Sequence, residues 1–421
     1  MSPNLAGAVV WQMSSMTVPD GSAVEEPVSS AAGAGGTTVH HLYVHIPFCL
    51  RKCPYCAFYS IPFSAEEVDR YVEMLIKETE MVAPALAPET VYFGGGTPSL
   101  LGEKHFEKLA GVFQRFGWTD ICEWTVEANP ATLTLDKARF LRQLGVNRIS
   151  LGVQSLDETV LKRLGRIHTR TDALRSFDIL RAAGFTNINI DLMFAVPGQT
   201  LSGWEKVLEE ALALGSEHLS AYELSYEEDT PFFEELATGG IESEEDLACE
   251  MYELLLGATA ARGLVQYEVS NFARDTGDGV AALPAFACRH NISYWRGRWY
   301  YGFGPSAASY VNGVRYSNFA DLGRYCRALA GGHRPIASAE RLSRLARAGE
   351  TAAFGLRMSV GWSFEEFRLV TGFDLRDEWA DEIADFVERG YAEMTSSRFK
   401  LTPKGMRFAD LVGEQFLRPE C

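Results

Sequence analysis

The chain has 421 residues, 47% of them hydrophobic, and 56 acidic against 39 basic side chains give it a formal net charge of −17. That length accommodates roughly two or three domains and a sizeable core, whereas so acidic a surface repels phosphate backbones and argues against nucleic acid as a general partner. No apolar run approaches a membrane-spanning helix, and eight cysteines without a paired framework point to a reducing, cytoplasmic setting where thiolates stay available.

Residues 1–38 are rich in Ala, Gly, Ser, Val and Pro, lack periodicity and carry no Lys or Arg. They fit neither a secretory signal, which starts basic and has a longer apolar run, nor an arginine-bearing transit peptide. A disordered tail is expected there, and Met13 and Met16 leave a later start open. A first strand at 42–46 then runs into Cys49-Leu-Arg-Lys-Cys53-Pro-Tyr-Cys56. Three intervening residues and then two let one loop place three thiolates around an iron-sulfur cube, whose full complement is normally four cysteines. The iron left without a cysteine is open to a small molecule, as a catalytic zinc keeps one position free of protein. A zinc knuckle is the competing reading, but it would want a fourth Cys or His near the loop. His45 lies upstream in the strand, and the next suitable residue downstream is His105.

From residue 42 short apolar runs alternate with amphipathic stretches, the pattern of a parallel sheet with crossover helices. Strands are expected at 42–46, 90–93, 123–126, 148–151, 187–192 and 218–224, with helices at 64–81, 135–144, 171–183 and 202–214. Gly145, Gly184 and Gly215 follow the last three helices, where glycine ends a helix by taking the left-handed conformation. Polar residues gather at the strand ends: Gly94, Gly95, Gly96 and Thr97 after the second, Glu127 after the third, Gln154 after the fourth, Asp191 in the fifth, Tyr222 and Glu223 in the sixth. Singly, each is more often an ordinary turn or solvent-facing residue. Together with the cysteine loop they mark the C-terminal edge of the strands as a site, with glycines that allow backbone to approach a ligand closely. The remaining cysteines at 122, 249, 326 and 421 read as packing or surface residues.

The end of the chain, 341–421, reads as a small helical domain with helices at 350–358, 364–370 and 377–389, the last closed by Gly390. A hairpin of 391–394 with 398–401 and a final helix from 402 follow. This resembles a winged helix. Its third helix carries Asp377, Glu378, Asp381, Glu382, Asp385 and Glu388, which would repel a DNA groove, so a lid or protein-docking surface is the better expectation.

The cysteine spacing and its preceding strand resemble the radical S-adenosylmethionine (SAM) superfamily. The resemblance implies an α/β fold, an incomplete (β/α)6 barrel, with a [4Fe-4S] cluster on Cys49, Cys53 and Cys56 whose open iron chelates S-adenosyl-L-methionine. It further implies that the turn of Gly95, Gly96 and Thr97 orients the SAM amino group, that Glu127, Gln154, Arg166 and Asp191 hold its ribose and adjoining groups, and that Tyr43 and Tyr55 contact it.

Within the superfamily, Tyr43-Val-His-Ile-Pro-Phe-Cys49, Gly94-Gly-Gly-Thr-Pro-Ser99, Gly152-Val-Gln-Ser155 and Pro197-Gly-Gln-Thr200 resemble the oxygen-independent coproporphyrinogen III oxidase-like family from about residue 40 onward. The dehydrogenase branch carries a further cysteine two places after the third cluster ligand, where this chain has Phe58. The heme-chaperone branch, of the HemW type, has Phe there and a His-Asn-x-x-Tyr-Trp motif, matched by His290-Asn-Ile-Ser-Tyr294-Trp295 after Tyr267-Glu-Val-Ser-Asn-Phe-Ala273. That branch implies heme binding through His290 and delivery of heme to acceptor proteins, such as those of the respiratory chain. The alternative is a radical SAM enzyme, a coproporphyrinogen III dehydrogenase or a methyltransferase on the same scaffold. Neutral imidazole is a common axial ligand, Tyr294 and Trp295 could pack on a porphyrin, and Arg289, Arg296 or Arg298 could pair with propionates. Cys288 is a rival ligand, and a histidine beside aromatics is, without the family, more often structural. One departure is Ala308, at a position where many relatives have His. The expected organisation is a tail at 1–38, a radical SAM core at 39–275, a heme-motif connecting region at 276–340 and the winged-helix-like domain at 341–421.

Overall fold

The computed structural model describes residues 38–242, 244–275 and 283–418, so the expected tail and Cys421 fall outside the described residues. All six expected strands are present, as β1 (Val39–Ile46), β4 (Leu86–Gly95), β5 (Glu123–Ala128), β6 (Arg148–Gln154), β7 (Ile188–Phe194) and β8 (His218–Glu223). They pair in parallel in chain order, and β8 is not paired with β1. This is the open, incomplete (β/α)6 arrangement with helices between the strands. The two-residue strands β2 (Phe48–Cys49) and β3 (Ile61–Pro62) pair across the base of the cysteine loop.

Threonine and serine side chains start the crossover helices. Thr134 and Thr200 accept from backbone N–H groups three residues on, and Thr169 forms a reciprocal capping box with Asp172, satisfying donors that an unflanked helix start leaves bare. Gly145 at φ +105° and Gly184 at φ +89° end helices as expected.

The sheet does not stop at six strands. On the β8 side it continues antiparallel through β10 (Asn271–Arg274) to β9 (Leu264–Glu268). On the β1 side β11 (Tyr300–Phe303) adds a seventh parallel strand, followed by the antiparallel meander β12 (Ala308–Val311), β13 (Val314–Asn318) and β14 (Ile336–Arg341). These strands are short and aromatic-rich, so period-two alternation is weak in them. Their junction with the first crossover helix, Ala65–Val82, is polar. Glu78, 1% exposed, accepts from Tyr325 Oη at 2.6 Å, Asn318 Nδ2 at 2.7 Å and Gly304 N at 2.8 Å. Burial still pushes its carboxyl up to about 7.

A second core belongs to the C-terminal region, where Trp362, Trp379, Phe399 and Phe416 are fully buried. Each such side chain contributes about 2–3 kcal/mol of burial. The expected hairpin is present as β16 (Ala392–Met394) and β17 (Arg398–Leu401), and β15 (Trp362–Ser363) joins it as a third strand. The helix expected at 377–389 is broken into Leu375–Glu378 and Ala380–Glu388. Trp379 leaves helical geometry between them at φ −129°, ψ 35°, which turns its indole inward to donate to Phe416 O at 2.9 Å. The backbone groups of Trp379 keep their bonds to Leu375 O and Ile383 N across the break. Among the described residues no helix is long and apolar enough to cross a membrane.

Candidate functional site

A cavity of about 450 Å³ opens at the C-terminal ends of the parallel strands, within the range of pockets that take cofactor-sized ligands. Most residues singled out from the sequence line it: Cys49, Cys53 and Cys56 from the loop, Tyr43 and Tyr55, Gly95, Gly96 and Thr97 after β4, Glu127, Gln154, Arg166, Asp191, Tyr222 and Glu223, and His290, Tyr294 and Trp295, whereas Gly94, Cys288, Arg289, Arg296 and Arg298 do not.

The cysteine loop leaves β1 at Ile46 and carries three free, partly exposed thiols. Thr97 Oγ1 lies 3.7 Å from Cys49 Sγ, and Arg166 Nη1 lies 3.8 Å from Cys53 Sγ. Burial pushes the Cys49 and Cys56 thiols up, that of Cys56 to about 11, so metal binding here would release protons. Among the described residues no three His, Cys, Asp or Glu side chains converge on a point that would hold a single metal ion. A cube instead takes each thiolate on a different iron. One loop with three facing thiols and a guanidinium beside them suits that demand. Arg166 also leaves its buried Nε without a partner, while Nη2 donates to Gly152 O at 2.8 Å.

The glycines of the turn line the cavity and are also required by packing. A Cβ on Gly96 would lie 2.7 Å from Phe48 O, and one on Gly95, at φ +103°, would meet the His45 ring at 2.5 Å. Their backbone donors are taken as well: Gly96 N donates to Ile46 O at 2.8 Å and Gly95 N to Glu127 Oε2 at 3.1 Å. They are glycine so that the turn can lock against the root of the cysteine loop. Gly152 does face the cavity side, since a Cβ there would crowd Gln154 Nε2 and Arg166 Nη2. Gln154 itself sits at φ +65° beside a register shift between β6 and β7. That left-handed backbone is costly for a non-glycine residue and re-aims the side chain at the strand end.

Five carboxyls line the cavity, those of Glu127, Asp191, Glu223, Glu227 and Glu268. Glu127 accepts from Tyr92 Oη at 2.9 Å and from Gly95 N, yet burial, and then the nearby Asp191, push it from 4.5 up to about 8. Asp191 is raised by burial and accepts from Asn189 Nδ2 at 2.7 Å and Ser150 Oγ at 2.9 Å. A ligand that brings donors or positive charge would therefore meet groups that are short of both.

His290 is built otherwise. It is 1% exposed, on the helix Arg289–Trp295, whose first N–H groups donate to Glu123. Its Nδ1 is 2.8 Å from Thr90 Oγ1 and its Nε2 2.8 Å from Tyr294 Oη, and the ring stacks on Tyr92 at 5.2 Å. Burial holds it neutral, well below the usual imidazole range. It lines the cavity with both nitrogens engaged, so a metal could reach Nε2 only after the Tyr294 hydroxyl moves. The rival Cys288 is fully buried, its thiol pushed up to about 12 by burial and directed at Glu123 Oε1.

Tyr92, Ser150 and Asn189 belong to the site or its wall and were not singled out from sequence, whereas Glu268 and Asn271 fall within the Tyr267-to-Ala273 motif. The signal was available: a parallel strand covered on both faces is expected to be continuously apolar, so Ser150 and Asn189 in β6 and β7 are anomalies that ask for a reason.

Comparison with known proteins follows the same lines. Residues 43–211 match the Radical SAM superfamily, and residues 342–408 match the HemN C-terminal domain. The chain is 34% identical to the heme chaperone HemW of Bacillus subtilis (strain 168) over 89% of its own length and 98% of that protein. It is 33% identical to the heme chaperone HemW of Escherichia coli (strain K12), covering 89% of this chain and 97% of that one. The solved structure of coproporphyrinogen III oxidase (HemN) from Escherichia coli, a radical SAM enzyme, superposes with a TM-score of 0.75 at 21% identity, over 90% of this chain and 91% of that one. At that identity the likeness establishes the fold.

Proposed function

The chain belongs to the HemW family of radical SAM proteins, and from that premise we propose that it binds a [4Fe-4S] cluster, SAM and heme, and hands heme to acceptor proteins. The observation that carries the reading is the convergence of three thiols, the carboxyls of Glu127 and Asp191, Gln154 and Arg166 on one cavity. Cys49, Cys53 and Cys56 would hold the cluster, which when present supplies an iron free of protein ligands for SAM. Arg166 would offer the SAM carboxylate or the cluster-bound thiolates a fixed positive charge, Glu127 and Asp191 would accept hydroxyl and amino donors, and Tyr43, Tyr55 and Gln154 would shape the walls. Thr97 steadies Cys49 from the glycine turn.

For heme, His290 is the proposed axial ligand. With Nδ1–H donating to Thr90, the Nε2 lone pair faces Tyr294, the arrangement in which a second group fixes the tautomer of a ligating histidine. The Tyr294 hydroxyl then acts as a placeholder that leaves when heme enters. Phe58, at the mouth of the cavity where the dehydrogenase branch has a cysteine, favours the chaperone reading over that enzyme. Heme acceptors, including respiratory-chain proteins, belong to the same proposal.

The test is anaerobic reconstitution followed by heme titration, with coproporphyrinogen III, SAM and reductant offered in a parallel reaction. Stoichiometric heme binding without protoporphyrinogen IX is the expected outcome. Multiple-turnover formation of protoporphyrinogen IX would move the chain to the enzyme branch.

A further inference from the structure

Behind Asp191 runs a chain of buried hydrogen bonds whose direction can be fixed group by group. Asn189 Nδ2 faces two acceptors, Asp191 Oδ1 at 2.7 Å and Ser150 Oγ at 2.8 Å, so its amide nitrogen must point at the carboxylate and its Oδ1 away. That Oδ1 lies 2.7 Å from His218 Nδ1. Ser220 also reaches it at 3.1 Å, but the single Ser220 proton has a nearer acceptor in Asn271 Oδ1 at 2.7 Å. His218 Nδ1 therefore carries a proton and donates. Burial holds this imidazole neutral, which leaves Nε2 as an acceptor for Tyr267 Oη at 2.8 Å. The Tyr267 oxygen in turn accepts from Cys288 N at 3.2 Å, at the start of the helix that carries His290.

Every donor in this chain points toward Asp191. The intermediates are inaccessible: Asn189 is 1% exposed, His218 and Tyr267 are 0% exposed. A chain that starts at a backbone N–H and ends at a carboxylate is bound to run one way, but nothing requires its interior to be polar, since apolar residues at these positions would cost less to bury. The buried relay delivers an oriented dipole to Asp191, whose carboxyl lines the cavity.

We propose that His218 and Tyr267 are positioning residues of the cofactor pocket, holding Asp191 through Asn189 as an oriented acceptor for a SAM hydroxyl and tying that acceptor to the first turn of the His290 helix. The inference rests on the reading that Asp191 contacts SAM. Neither residue touches the ligand.

The experiment titrates SAM into the full-length, anaerobically reconstituted protein and its variants Tyr267→Phe, His218→Leu, His218→Asn and Asp191→Asn, with iron content and melting temperature measured alongside. Tyr267→Phe keeps the ring and removes the hydroxyl, so it should fold and load iron normally while binding SAM about tenfold more weakly, the scale of one lost buried hydrogen bond. His218→Leu should match it, whereas the amide of His218→Asn can donate in place of Nδ1 and should recover most of the affinity. Tyr267→Phe should add no further loss on an Asp191→Asn background, because both act on one acceptor. A purely structural role would lower the melting temperature, leave SAM affinity unchanged and add to Asp191→Asn, and that result overturns the proposal. If Asp191→Asn itself binds SAM normally, the contact reading fails and the proposal with it; if Asp191→Asn is weakened but Tyr267→Phe is not, the chain alone is refuted.

Discussion

The cysteine loop and the His290 helix flank one cavity, yet their polar groups are treated in opposite ways. In the loop, three thiols stay partly exposed, with neighbours at 3.7 and 3.8 Å, and the guanidinium beside them keeps a buried nitrogen unpartnered. In the helix, His290 is buried, stacked and hydrogen-bonded at both ring nitrogens, and its N-terminal N–H groups are capped by Glu123. The first region is arranged to receive a ligand, and the second is complete until something displaces a partner. Mutation should therefore uncouple them: changes in the loop should cost cofactor without costing fold, and changes at the helix should cost fold before function.

The largest effect is expected at the loop. Replacing Cys49, Cys53 or Cys56 with Ala should abolish the iron-sulfur absorbance after anaerobic reconstitution, since losing one ligand exposes a second iron. The apoprotein should melt within about 0.5 kcal/mol of the unaltered chain, as partly exposed substitutions usually do, and Cys122→Ala should load iron normally. Normal iron content in all three ligand variants would break the contrast from the loop side.

Next comes His290→Ala. It empties a packed site and strands the Tyr294 hydroxyl, while Thr90 Oγ1 keeps His41 Nδ1 at 2.9 Å, so it should lower stability by about 3 kcal/mol and shift or weaken the heme absorption band while the cluster stays intact. An unaltered heme spectrum and affinity would place the axial ligand elsewhere, with Cys288→Ala the next variant to measure.

A smaller effect lies between the two regions, at Glu127. Its carboxyl is raised in the fold from 4.5 to about 8, so the folded chain holds a proton that the unfolded chain releases. The resulting stability is fully present below about pH 4.3 and is lost as pH rises through 8. Denaturant titrations of the ligand-free protein should show Glu127→Gln falling less than the parent over this interval, by about 2 kcal/mol once solvent relaxation is allowed for. Parallel curves would mean that Glu127 is ionised throughout.

The site was more legible from sequence than the fold around it. The Cys49, Cys53 and Cys56 spacing, the glycine turn and the strand-end polar residues are local patterns, and the structure brings them to one cavity. Of the two partners of His290, Tyr294 lies in the same motif, but Thr90 lies 200 residues away, so the satisfied state of the ring could not be read from the motif. The glycine turn was legible as part of the site, but its packing against Phe48 O and the His45 ring was not, because a close approach between two segments leaves no trace in either segment alone. Strands β11 to β14 escaped because four to six residues of mixed aromatic and polar character carry too little periodicity, and the break at Trp379 because burial demand is invisible to helical spacing.

Glu78 sets a limit on where the chain can be cut. Its three donors come from Gly304, Asn318 and Tyr325, all beyond the last of the six barrel strands. A fragment ending near residue 275 would keep every strand expected to carry the cofactor pocket and yet uncover the face of the first crossover helix that Gly304, Asn318 and Tyr325 close over. The smallest piece that can be expected to fold around the cysteine loop thus runs through Tyr325, and a library of truncations should show soluble product appearing abruptly at that length rather than at the end of the barrel.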